Sequence, residues 1–100
     1  MLNHIVLMNW TDAAREAGIE RVLAGIQASC ARMEKGVPGL HRCQAHRNIA
    51  CSKLEYELVF CCEFVDEQSM ADYFPHPLHL LHARENDLFV KDTNCVDYWG

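Results

Sequence analysis

The run LEYELVFCCEFV, Leu54–Val65, decides the fold. Read as a strand, it places Tyr56, Leu58, Phe60, Cys62 and Phe64 on one face, and Glu57, Val59, Cys61, Glu63 and Val65 on the other. Both faces carry apolar side chains, so both require cover. Met1–Trp10 has the same character. Leu2, His4, Val6, Met8 and Trp10 share one face, and Asn3, Ile5, Leu7 and Asn9 share the other. Two further segments read as strands: Leu40–Arg47, which is more polar, and Leu88–Trp99, with Val90, Val96 and Tyr98 in phase.

Between these strands the period changes. From Asp12 to Lys35, Ile19, Val22, Leu23, Ile26, Cys30 and Met33 form a continuous apolar helical stripe. Thr11 or Asp12 offers the oxygen that caps it. Gly18 and Gly25 weaken it, each by roughly 1 kcal/mol relative to Ala. Gly36 ends it and Pro38–Gly39 makes a turn. Asn48–Lys53 reads as a loop. Asp66 or Ser69 caps a short helix through Phe74, and Pro75 and Pro77 interrupt it. Pro77 suits the first turn of another helix, Leu78–Asp87. The order β-α-β-β-α-β is the ferredoxin-like plan, an α+β fold with a four-stranded antiparallel sheet and both helices on one face. No element remains to hide the other face. A second copy packed sheet against sheet is the economical solution, so a homodimer, a dimeric α+β barrel, is expected.

Composition narrows the partners. The chain has 100 residues, half of them apolar and 23% charged, which suits one domain over residues 1–100. Nine Lys and Arg against 14 Asp and Glu give a net charge of −5. That balance argues against broad binding to nucleic acid or an anionic membrane surface. The apolar stretches fall short of a membrane span, and the opening residues lack the basic lead-in and small-residue cleavage site of an export signal. A cytoplasmic location is expected. The six cysteines include no Cys-x-x-Cys pair, so a structural zinc site is not indicated. They read as small reduced hydrophobes, with Cys61 and Cys62 on opposite faces. Cys43 and Cys51, near a loop, are left open as redox-sensing thiols.

The chemistry-bearing segment is Asp72-Tyr73-Phe74-Pro75-His76-Pro77-Leu78-His79, with His82 beyond it. A neutral imidazole accepts a proton near neutral pH, and a phenol donates a hydrogen bond to a carbonyl or enolate. Tyr73 and His79 flank a Pro-x-Pro element that stiffens the backbone between them, and His4 on the first strand is a third polar candidate. Bland readings stand beside these: Tyr73 as a core aromatic, His79 and His4 as satisfied interior imidazoles, His76 as a cap on the following turn. His41, His46 and His82 read as surface residues. The spacing of His76, His79 and His82, with His4, leaves a metal site open. Steps of three drift round a helix, however, and strain a shared metal.

His4-Ile5-Val6-Leu7, the Val37-Pro38-Gly39 turn, Asp72-Tyr73, His76-Pro77-Leu78-His79 and Val96-Asp97-Tyr98 together resemble the stress-responsive A/B barrel family of the dimeric α+β barrel superfamily. The resemblance covers essentially the whole chain. The family includes stress-induced plant proteins and a plant cyclase that closes a linear polyketide thioester by an aldol-type step. The resemblance implies that Tyr73 and His79 are a catalytic acid–base pair with His4 nearby, working without a cofactor as a lyase or cyclase. It implies a small-molecule pocket between the helices and the sheet face bearing Val6 and Met8, lined by Leu23 and Ile26, with His76 as a further substrate contact. Val22, Leu23 and Ile26 stand where the cyclase carries an aromatic cluster, so a smaller or more polar substrate fits at least as well. A non-catalytic ligand-binding or stress-response protein and a His-based metal-binding dimer are the alternatives. Related barrels bind haem, but nothing beyond the His residues points to it here.

Overall fold

A computed structural model describes residues 1–50 and 55–100. The elements run β1 (Leu2–Trp10), α1 (Asp12–Ala17), α2 (Ile19–Gly36), β2 (Leu40–Arg47), β3 (Leu58–Phe64), α3 (Glu67–Tyr73), α4 (Pro77–Asn86) and β4 (Val90–Trp99). The strands form one antiparallel sheet in the order β2-β3-β1-β4, which is the ferredoxin-like arrangement. Leu54, read as the start of the third strand, lies outside the described residues.

The alternation in β1 and β3 appears as strict alternation in burial. Leu2, His4, Val6, Met8 and Trp10 are buried, as are Leu58, Phe60, Cys62 and Phe64. They meet the α2 stripe of Val22, Leu23, Ile26, Cys30 and Met33 in one core. Cys62 is buried and Cys61 half-buried, on opposite faces as their adjacency requires.

Four boundaries differ from the sequence reading, each for a local reason. The helix expected over Asp12–Lys35 is two helices, because Gly18 takes φ +99° and breaks the hydrogen-bond ladder. The third strand begins at Leu58, so residues 55–57, expected within it, lie before it. Before it, the Glu57 N–H donates to the Asn9 side-chain oxygen at 3.1 Å, and the Glu57 carboxylate accepts from the Trp10 N–H at 3.1 Å and from Arg15 at 2.7 Å. The last strand begins at Val90, after a turn over residues 87–89. Finally, Val90, Val96 and Tyr98 are out of phase. The β1–β4 register slips between Leu7 and Asn9, where Asp92 sits at φ +55°. Val90 therefore pairs with buried Trp10. Val96 and Tyr98 pair with Ile5 and Asn3 on the opposite face, where they are 59% and 49% exposed.

Two glycines test this account in opposite directions. Gly39 turns the chain into β2 at φ +78°, and a Cβ there would collide with the Ser69 side chain. Gly39→Ala is expected to cost about 2 kcal/mol. Gly25 is helical and a Cβ there meets nothing within 4 Å. Gly25→Ala is expected to stabilise by about 1 kcal/mol. Urea unfolding midpoints of the two variants read both signs.

Candidate functional site

The site is built at the seam between β1, β4 and the α3–α4 corner. Asp66 caps α3, its carboxylate accepting from the Ser69 N–H at 2.7 Å. Seven residues on, Tyr73 ends α3 almost fully buried, with its ring edge-on to Phe64 at 5.1 Å. The chain then turns through Pro75, and Pro77 opens α4 with its fixed φ. His76 caps α4: its Nδ1 accepts from the Leu78 N–H at 3.1 Å. One turn into α4, the His79 ring returns to Tyr73, with centroids 4.3 Å apart.

Tyr73, His79 and His4 line one cavity of about 370 Å³, together with Val6, Met8 and Ile26. Leu23 and His76, expected at the pocket, do not line it. Leu23 is buried in the core on the α2 stripe, and the ring nitrogen of His76 is committed to capping α4. His82, expected at the surface, is half-buried and forms part of the cavity wall. His41 and His46 are exposed.

Hydrogen bonds assign a tautomer to each cavity imidazole. His79 Nδ1 lies 2.8 Å from the Phe74 carbonyl, which only accepts, so Nδ1 carries the proton and donates it. His4 Nδ1 likewise faces the Asp97 carboxylate at 2.5 Å. For His82 the partner is a hydroxyl, and the direction must be argued. Ser29 Oγ lies 2.8 Å from the Ile26 carbonyl and 2.6 Å from His82 Nδ1. The hydroxyl has one proton. Directed at Ile26, it leaves Oγ to accept from Nδ1–H; directed at His82, it leaves two oxygens in contact with no proton between them. His82 is thus also Nδ1–H. Asn86, whose amide donates to the His82 carbonyl at 2.8 Å, holds the same turn. In all three rings the uncommitted nitrogen is Nε2.

Electrostatics separate the roles. Burial pushes the Tyr73 phenol well above its ordinary value, and the nearby Cys62 and Cys43 thiols add to the rise. Tyr73 is therefore a proton holder and hydrogen-bond donor rather than a base. Burial lowers His82 from its ordinary 6.5 to about 4, helped by the charges of His79 and Arg32 and opposed by Glu85. His82 is neutral at physiological pH.

The thiols form a buried row. Cys43, expected near a loop, is buried within β2, with its sulfur 3.8 Å from that of Cys62. The hydrogen bond with Cys30 lowers the Cys43 thiol, but its hydrogen bond with Cys62 and burial outweigh this and hold it above the ordinary value. A thiol so placed is a poor nucleophile. Cys51 lies outside the described residues. Among the described residues, no three His, Cys, Asp or Glu side chains stand close enough to share a metal ion. Nor is any described helix long and apolar enough to cross a membrane.

Ser29 and Asn86 escaped the sequence reading, and Asp97 was read only as part of the Val96-Asp97-Tyr98 element, without a role at the site. Asp97 reaches His4 only because of the bulge in β4. Ser29 left a signal, a hydroxyl residue within the apolar stripe of α2.

Comparison with known proteins places this architecture. The family model described as the stress responsive A/B barrel domain matches residues 2–99. A dimeric ferredoxin-like protein from Bacteroides fragilis is 17% identical, with TM-score 0.83 over 99% of this chain and 95% of its own. A ferredoxin-like family member from Mesorhizobium loti is 22% identical, with TM-score 0.75 over 99% and 95%. A hydroxynitrile lyase from Passiflora edulis is 13% identical, with TM-score 0.77 over 97% and 90%. At these identities the likeness is one of fold. No curated protein is significantly similar to the chain.

The lowered pKa of His82 has a consequence for stability. As pH falls from 6.5 towards 4, the unfolded chain takes up this proton before the folded one, so the folded state loses stability across that window. Below about 4 both states are protonated and this contribution is flat. The loss is on the order of 3 kcal/mol. His82→Gln, which keeps a donor for Ser29 but does not titrate, is expected to flatten the urea-midpoint profile between those limits. An unchanged profile contradicts the assignment.

Proposed function

The chain belongs to the stress-responsive A/B barrel domain family, and from that premise we propose that it is a homodimer with a small-molecule active site in each protomer. In this reading Tyr73 and His79 act as a cofactor-independent acid–base pair on a carbonyl substrate, in a reaction of the lyase or cyclase type. The observation that carries it is the 4.3 Å approach of the two rings, with His79 Nδ1 tied to a backbone carbonyl.

The chemistry follows from those partners. His79 Nε2 takes a proton from the carbon beside a substrate carbonyl. The imidazolium that forms is stabilised by the Nδ1–H bond to Phe74. The electron pair left behind moves to the carbonyl oxygen, and the Tyr73 hydroxyl donates to that oxyanion. The enolate carbon then closes on a second carbonyl, and the His79 imidazolium returns its proton to the alkoxide. Run backwards, the same steps cleave a carbon–carbon bond. His4, held by Asp97, orients the substrate or relays the proton. The hydroxynitrile lyase with this fold is consistent with lyase chemistry on such a frame.

Dimerisation is supported by the sheet face away from the helices. Val96 and Tyr98 are exposed there, beside half-buried Ile5, Leu7, Val59 and Cys61. A cytoplasmic setting suits the five free thiols described.

Two measurements test the reading. Deuterium wash-in at the central carbon of a linear 1,3-diketone, followed by NMR, is expected to be accelerated by the protein. Tyr73→Phe and His79→Ala should each slow it by on the order of 10²-fold or more while the fold is kept. Undiminished rates in both variants contradict the pair. Light scattering should give about twice the 11.5 kDa chain mass, and Val96→Asp should shift it towards the monomer. A stable wild-type monomer contradicts the dimer.

A further inference from the structure

The cavity wall is uneven in its hydrogen-bonding capacity. In their neutral forms His4, His79 and His82 each commit Nδ1 to the protein and leave Nε2 as an acceptor. Two carboxylates, Asp87 and Asp97, also face the space. The side-chain donors are the hydroxyls of Tyr73 and Thr93 and the weak thiol of Cys95, while the Asn86 amide is already bonded to the His82 carbonyl and to Ser29 Oγ. Among the described residues, no Lys or Arg lines the cavity. The remaining surface is apolar, with Phe60 packed at 5.1 Å against the His82 ring.

We infer that this cavity selects uncharged ligands bearing hydroxyl or enol protons, and that His82 Nε2 is a specificity-determining acceptor for one of them. The inference rests on the reading of the cavity as the ligand site and deepens it by naming the ligand class. An anion entering this space loses hydration, meets no Lys or Arg among the described residues, and faces two carboxylates. A neutral hydroxyl finds acceptors whose protons are already directed elsewhere. The three rings are anchored from three different elements, so they cannot all turn to offer donors without breaking the bonds to Asp97, Phe74 and Ser29. His82 is the most constrained, because burial keeps it from becoming a cation at neutral pH. A hydroxy-ketone or an enolised 1,3-dicarbonyl meets both demands of the site: a carbonyl for Tyr73 and His79, and a hydroxyl proton for His82.

The test uses three non-reacting ligands of similar size: para-ethylphenol, para-ethylbenzoate and ethylbenzene. Each is titrated into the wild-type protein near neutral pH by NMR. The phenol is expected to shift resonances around the cavity and to bind on the order of tenfold more tightly than the benzoate. It should also bind more tightly than ethylbenzene. His82→Phe, which preserves a ring against Phe60, should bring phenol affinity down to that of ethylbenzene. Overturning results are benzoate binding as tight as phenol binding, no gain from the hydroxyl over ethylbenzene, an unaltered preference in His82→Phe, or no binding of the phenol in the cavity. These ligands do not turn over, so the selectivity stands or falls on binding alone. Failure of the Tyr73–His79 pair appears separately, in the deuterium wash-in rates.

Discussion

The site depends on one kind of interaction: the hydrogen bond from an imidazole Nδ1–H to a fixed acceptor of the protein. An imidazole free to turn offers either a donor or an acceptor and so specifies nothing. Tied at Nδ1, the neutral ring presents one nitrogen, Nε2, as an acceptor in one direction. The protein does this three times, with a carboxylate on β4, a carbonyl at the end of α3 and a hydroxyl on α2. The cavity's chemistry is therefore a property of how the elements meet rather than of any single one.

That dependence explains the value of two local irregularities. Without the slip between Leu7 and Asn9, the pairing of Asp97 with His4 would be lost and a neighbouring side chain would stand there instead. Without Pro77 and the His76 cap, α4 would start elsewhere and His79 would not return to Tyr73. Both features interrupt regular structure, and both aim a side chain. The buried thiols beside them have a quieter role. Cys62 packs under Tyr73 as a small soft group, filling space while leaving the phenol's proton available.

Much of the fold was legible because it follows from periodicity. The two-residue alternation of β1 and β3 and the stripe from Val22 to Met33 specify layers without reference to anything distant. So do the caps at Asp66 and His76. What the sequence hid is what depends on pairing. The helix break at Gly18 looked like a propensity penalty, and only the positive φ makes it a break. The phase of Val96 and Tyr98 was misread because a bulge reverses the parity of a strand, and nothing in the residues of β4 announces it. The role of Asp97 at the site was hidden by the same bulge. His82 was misjudged because its burial depends on Ser29, more than fifty positions away in the chain. Tyr73, His79 and His4, singled out from the sequence, line one cavity. Leu23 and His76 belong to the core and to a helix cap.

The tautomers of the three cavity imidazoles test this account most directly. Imidazole side chains in water favour the proton on Nε2. In protein labelled with ¹⁵N at histidine and held at mildly alkaline pH, two-bond nitrogen–proton correlations distinguish the two forms ring by ring. The account predicts the Nδ1–H form for His4, His79 and His82, and the solvent-like form for exposed His41. Nε2–H signals from His79 and His82 would contradict it.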